Sequence, residues 1–229
     1  DVTKNAEDFG MGEIFSSSGG TCAKLRPQAT HAIDWNQKPS RFFKTDDFEA
    51  YDNQQTILRI AEEEKFPVLL ALALAYTESY PKFHHLNKNG EVVDSGTGSK
   101  GLFQVTHTTA YGYSAGSDYI GKGKPCKADS KGKQTGLCKG LDFCQVEGNI
   151  RCAIRVFRDK GRITANDDAY ERYVRKNCQD SAVVERYLTY KGDPIKKALR
   201  AYNHLGCDWF GPAAEDYVEL VMEAAKKFQ

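Results

Sequence analysis

The stretch Phe66–Ser79, FPVLLALALAYTES, decides the fold. Pro67 stands where a helix favours proline, at its first position, and the leucines and alanines behind it leave no polar stripe. A helix from Pro67 to about Glu78 that is apolar all round belongs in the centre of a domain. The apolar run Phe66–Tyr76 is interrupted by Pro67 and falls short of the roughly 20 residues that cross a bilayer, so no membrane span is expected. Its last turn carries Thr77, Glu78 and Ser79. Burying a carboxylate there is unfavourable without a use for it. Burial and the negative end of the helix dipole both disfavour its charge, so a raised pKa is expected, as suits a general acid near neutral pH. The competing reading turns Glu78 outward as the helix leaves the core.

Upstream, Ile57, Leu58, Ala61 and Phe66 repeat at helical spacing after Asp52 and Asn53, either of which could cap the first turn. Residues 1–50 show no sustained period and include the Ser16–Gly20 cluster, so they read as a loop-rich arm packed on a body formed by residues 51–229. Downstream, Asn89-Gly90 between His85–Asn87 and Glu91–Val93 signals a small hairpin. From Tyr111 to Gly148 the chain is rich in Gly, Lys and Cys without periodicity, which marks a cross-linked insert. Helical spacing returns in Ile150–Phe157, Tyr170–Val174, Val183–Leu188, Ile195–Tyr202 and Ala214–Met222. The fold class expected is mainly α (α+β): a helical domain with one small β-hairpin and no internal repeat.

Over 229 residues, 32 Lys and Arg stand against 31 Asp and Glu, a net charge of +1 that lacks the basic footprint of a nucleic-acid binder. The seven cysteines, Cys22, Cys126, Cys138, Cys144, Cys152, Cys178 and Cys207, form no Cys-x-x-Cys pair, a poor pattern for zinc. They suit an oxidising compartment, with up to three disulfides and one thiol left over, whose pairing the sequence does not give. Buried reduced cysteines of a cytosolic protein are the alternative. Asp1 in place of an initiator Met fits a removed or omitted leader.

Two further clusters bear on chemistry. The run Ser95–Val105, SGTGSKGLFQV, followed by Thr108, Thr109 and Ala110, has glycines that let backbone approach a ligand, but neither Walker nor dinucleotide spacing. Ala201-Tyr202-Asn203 ends the Ile195 helix and offers hydrogen bonds to a sugar, or simply closes the helix. In order and spacing, Glu78-Ser79, Ser95, Gly98, Gly101–Gln104, Thr109-Ala110, Asn149-Ile150, Ala201–Asn203 and Tyr217-Val218 resemble the catalytic domain of the soluble lytic transglycosylases, related to the goose-type lysozymes. The resemblance spans roughly residues 56–227, interrupted by the insert at 111–148. It departs at Phe103, where Met is usual, at His107, where Pro is common, and at His204-Leu205-Gly206, where the loop is longer.

That resemblance implies a lysozyme-like helical domain with the hairpin beside its groove. It implies peptidoglycan glycan strands as the partner, cut between N-acetylmuramic acid and N-acetylglucosamine, with no cofactor and no metal. Glu78 would be the single catalytic acid, later the base, in the substrate-assisted exception to the two-carboxylate scheme. Tyr202 would orient Glu78 or the sugar's acetamido group. Ser79, Ser95, Gly101, Phe103, Gln104, Asn149 and Asn203 would hold the saccharide. The main alternative is a goose-type lysozyme, a hydrolase with a second acid at Asp94 or Glu91; Thr106 at the other expected acidic position weakens it, and both acids could simply lie on a solvated hairpin. A non-catalytic glycan-binding module is the third reading. The protein is expected to be a monomer, exported to a periplasm or beyond from a bacterium, without nucleic-acid partners.

Weaker features remain. His84 and His85 adjoin the site in sequence, but neighbours on an extended segment face opposite ways, and no metalloprotease pattern accompanies them. Lys122, Lys124, Lys127, Lys131, Lys133 and Lys139 in the insert either attract anionic wall polymers or form a solvated loop. Trp35, Phe42, Phe43, Trp209 and Phe210 either stack on sugars or, as such residues more often do, anchor the arm.

Overall fold

Pro67 stands just before the central helix as its N-cap, one position ahead of the first helical place expected for it. In the computed structural model, which describes residues 33–94, 98–111, 126, 136–203, 207 and 216–229, this helix runs Val68–Glu78, with every residue from Val68 to Ala75 buried. It is α2; α1, Phe48–Glu63, precedes it. The two are joined by a tight reversal in which Lys65 takes φ 50° and the Phe66 N–H reaches back to the Ala61 carbonyl at 2.8 Å. That geometry ends α1 and turns Phe66 inward against the Phe157 ring, 5.5 Å away between centroids.

The cap of α1 is Asp47, whose Oδ1 accepts the Ala50 N–H at 3.2 Å, not Asp52 or Asn53. The helix therefore starts one turn before the expected domain boundary at residue 51. Phe48 and Tyr51 lie exposed, so the first turn shows no apolar period to read. Asn53 is instead buried mid-helix and donates to the Phe83 carbonyl at 2.7 Å.

Six more helices are described: α3 His107–Tyr111, α4 Val146–Thr164, α5 Asp167–Asn177, α6 Ser181–Leu188, α7 Pro194–Asn203 and α8 Tyr217–Lys226. α2 packs between α1 and α8, and α4 lies against α1, α5 and α7. Ion pairs weld α1 to α4 at the surface: Arg151 bridges Glu63 and Glu64, and Arg59 bridges Glu63 and Glu147. The molecule is thus mainly helical, with a small antiparallel sheet of β1, Ser99–Lys100, and β2, Val105–Thr106, in the register Ser99↔Thr106 and Lys100↔Val105.

The expected hairpin is smaller than its signal. Gly90 takes φ +76° and the Asn87 side chain accepts the N–H groups of Asn89 and Glu91, but a single bridge, Leu86↔Val92, joins the arms. The ladder forms in the glycine-rich run instead, and Asp94 pairs with its edge at Lys100. α3 is a short helix where the sequence shows no period.

The described part of the arm docks by its aromatics and backbone. Phe43 exchanges two backbone bonds with the Gln54 side chain and sets its ring 5.4 Å from Tyr76, while the Ser40 N–H donates to the Phe228 carbonyl. Trp35 is buried and Phe43 partly so, which fits the anchoring role; Trp209 and Phe210 lie outside the described residues. Three disulfides, Cys126–Cys144, Cys138–Cys152 and Cys178–Cys207, cross-link the chain, two of them fastening the insert to itself and to α4. Cys22 and the lysines of the insert other than Lys139 lie outside the described residues.

Candidate active site

Glu78 is the last residue of α2, so the burial of that helix fixes where its carboxyl emerges. It emerges at a cleft of about 480 Å³ whose walls come from the β1–β2 loop, α3, α4 and α7. The residue is only partly covered, opening onto the cleft, but its carboxyl group is set deep among protein atoms. Burial pushes its pKa from 4.5 up to about 7, opposed by a hydrogen bond from Tyr217 and by the ammonium of Lys82. The Tyr217 hydroxyl donates to Glu78 Oε1 at 2.5 Å. Burial and the neighbouring carboxylate hold the Tyr217 phenol far above its ordinary pKa, so it stays a donor. Lys82 donates to the Tyr76 carbonyl at 2.6 Å, in the last turn of α2.

Tyr217 is the residue that sequence reasoning missed as a partner of the acid. It was in view as the opening of the final helix, and 139 positions separate it from Glu78. Asp216 caps that helix by accepting the Val218 N–H at 2.9 Å, and α8 packs along α2, which brings the phenol to the carboxyl. The expectation for Tyr202 is corrected accordingly. Tyr202 lines the cleft, but its hydroxyl donates to the Phe103 carbonyl at 3.1 Å and does not hold Glu78.

The loop wall is braced from behind by groups that the sequence offered as saccharide contacts. Asn149 is fully buried and uses its whole side chain on backbone: Oδ1 accepts the Phe103 N–H, while Nδ2 donates to the Lys100 and Phe143 carbonyls. Ser79 is buried too, donating to Ala75 O and accepting from Phe83 N, both at 2.6 Å. Gly101, at φ +74°, sits so close to His85 and Asn149 that a Cβ would stand 2.6 Å from the imidazole and 2.8 Å from the amide. Phe103 is buried in the core. Ser79, Gly101, Phe103 and Asn149 are therefore framework, because their polar groups are already paired or their side chains face inward. Ser95 lies outside the described residues.

Gln104 and Asn203 do line the cleft. Gln104 is held at φ 49°, its Nε2 donating to the Gly101 carbonyl at 2.7 Å, and its Oε1 is buried with no hydrogen-bond partner among the described residues. Thr106 and Thr109, hydrogen-bonded to each other at 2.9 Å, add hydroxyls to the same wall.

Neither candidate second acid lines the cleft. The Asp94 carboxylate is sealed against the Lys100 ammonium, both side chains nearly inaccessible, and Glu91 is exposed on the turn with Asn87 donating to it. Among the described residues, Glu78 is the one carboxylate lining the cleft.

His84 and His85 serve structure. His85 is buried, with Nε2 2.7 Å from the Cys144 carbonyl and the Leu102 N–H donating to Nδ1, a pattern that requires the neutral ring; burial lowers its pKa to match. His84 pairs with Asp47 at 3.0 Å. Among the described residues no group of three or more His, Cys, Asp and Glu gathers as a metal site would, and no helix is long and apolar enough to cross a membrane. Comparison of the chain with protein-family models, curated proteins and solved structures finds no match.

Proposed function

We propose that this protein has a lysozyme-like catalytic domain and cleaves the β-1,4 bond between N-acetylmuramic acid and N-acetylglucosamine as a lytic transglycosylase. The observation that carries the reading is a lone acid: Glu78, raised to about 7 at the base of a cleft, with no other carboxylate among the described lining. A carboxyl with that pKa is about half protonated at neutral pH, far more than an ordinary carboxylate, and can give its proton to the glycosidic oxygen. Two-carboxylate glycosidases set their second acid roughly 5 to 10 Å from the first, as nucleophile or water activator. Here the substrate's own acetamido oxygen takes that place, bonding to C1 as the leaving sugar departs with the proton of Glu78. Glu78, now a carboxylate steadied by Tyr217, removes the proton of the C6 hydroxyl, whose oxygen displaces the acetamido group. The product is a 1,6-anhydro ring, and no water is consumed.

Gln104 Oε1, Asn203 and the two threonines supply neutral polar contacts suited to a saccharide. The three disulfides are compatible with an exported protein. The test compares soluble muropeptides released from peptidoglycan by wild type and by Glu78→Gln. Wild type is expected to release products one water lighter than reducing ends, and the variant at least about 10³-fold less, as for loss of an essential acid. Equal release by both removes Glu78 from its role; reducing ends in place of anhydro ends make the enzyme a hydrolase.

A further inference from the structure

Lys160 lines the same cleft from α4, one turn along from Val156. The described lining holds two charged residues, Glu78 and Lys160; the remainder is neutral. Elsewhere on α4 the cations have partners: Arg151 and Arg158 in Glu64, Arg155 in the Leu137 and Lys139 carbonyls, and Arg162 in Asp159 at 2.9 Å, which occupies the acid next to Lys160 in sequence. Among the described residues no carboxylate pairs with Lys160. Nor does Lys160 serve the catalytic acid, because the ammonium that acts on Glu78 is that of Lys82, held at the end of α2.

A partly buried lysine in a cleft wall suits an anion, and neutral sugar hydroxyls have Gln104, Asn203 and Thr106 to meet them. The backbone of an amino-sugar polymer carries no charge. Its carboxylates hang from muramic acid, on the peptide attached through the lactyl ether. We infer that Lys160 binds a carboxylate of that peptide stem, so that the cleft selects peptide-bearing strands over naked glycan. This rests on the reading of Glu78 as a muramidase-type acid and names the form of substrate it meets.

The experiment measures kcat and KM of wild type, Lys160→Met and Lys160→Arg on peptidoglycan strands with stems and on the same strands stripped by an amidase, the lactyl carboxylates so freed being capped as methylamides. Binding of stem-bearing tetrasaccharides and of stem-free ones capped in the same way to Glu78→Gln, with and without Lys160→Met, is measured alongside. Lys160→Met is expected to raise KM roughly tenfold on stem-bearing strands, with kcat and the stripped substrate unaffected. Lys160→Arg retains most of the preference, and added salt erodes it in wild type. An equal loss on both substrates, or no loss on either, overturns the inference. If wild type cleaves neither substrate but the stem-bearing fragment still binds through Lys160, the muramidase reading falls and the anion site stands.

Discussion

The two walls that meet at Glu78 are built on opposite principles. On one side α2 and α8 bring a carboxyl and a phenol together by packing apolar helix faces. On the other side the segment from Phe83 to Thr106 has almost no regular ladder. It is held by polar side chains reaching for its backbone, Asn53 to Phe83, Asn149 to Lys100 and Phe103, and Tyr202 to Phe103, while Asn149 and His85 also tie it to the carbonyls of Phe143 and Cys144. Glu78 on the helical wall is therefore left open to the cleft, whereas polar residues behind the loop wall are structural. The same residue types carry opposite meanings according to what satisfies the backbone beside them.

The contrast breaks most sharply at Asp94. If it belongs to the framework, Asp94→Ala breaks a buried ion pair with Lys100 and lowers stability by about 3 to 5 kcal/mol in urea unfolding, with any residual product still carrying anhydro ends. A variant of normal stability that has lost activity would move Asp94 to the reactive side.

Next in size is the pH dependence of stability set by Glu78. Its folded pKa lies above its unfolded value of 4.5, so below pH 4.5 the group is protonated in both states and contributes no difference. As pH rises towards 7 the unfolded chain ionises while the folded one resists, and the native state loses up to roughly 3 kcal/mol. Glu78→Gln removes that penalty but weakens the contact with Tyr217. Its melting temperature is expected to exceed that of wild type at pH 8 and to match it near pH 4; a constant gap across pH would show that Glu78 does not titrate as a buried acid.

The smallest effect sharpens the helical wall. Tyr217→Phe deletes a donor that lowers the pKa of Glu78, so the alkaline limb of the rate profile moves upward while kcat falls about tenfold to a hundredfold. A fall in kcat with the limb unmoved would reduce Tyr217 to packing.

Legibility in the sequence follows the same division. The central helix could be read from FPVLLALALAYTES because all-round apolarity has one structural meaning, and the acid at its end stood out for lacking company. The start of α1 could not, because Asp47 caps a turn whose aromatics, Phe48 and Tyr51, face solvent. The partner of Glu78 was hidden by distance along the chain: nothing local to Tyr217 says that its hydroxyl ends at a carboxyl. Asn149, Ser79 and Gly101 looked like ligand contacts because spacing does not distinguish a side chain that bonds a sugar from one that bonds the loop beside it. The clash that a Cβ at Gly101 would make with His85 and Asn149 is a property of three distant segments meeting.

One consequence follows from the burial of α2 on every side. The backbone that carries the acid is held like a strut, so on the proposed reading a polymer would have to slide and bend until its bridging oxygen reached the carboxyl, and tolerance toward chemically varied chains would reside in the rim of the cleft.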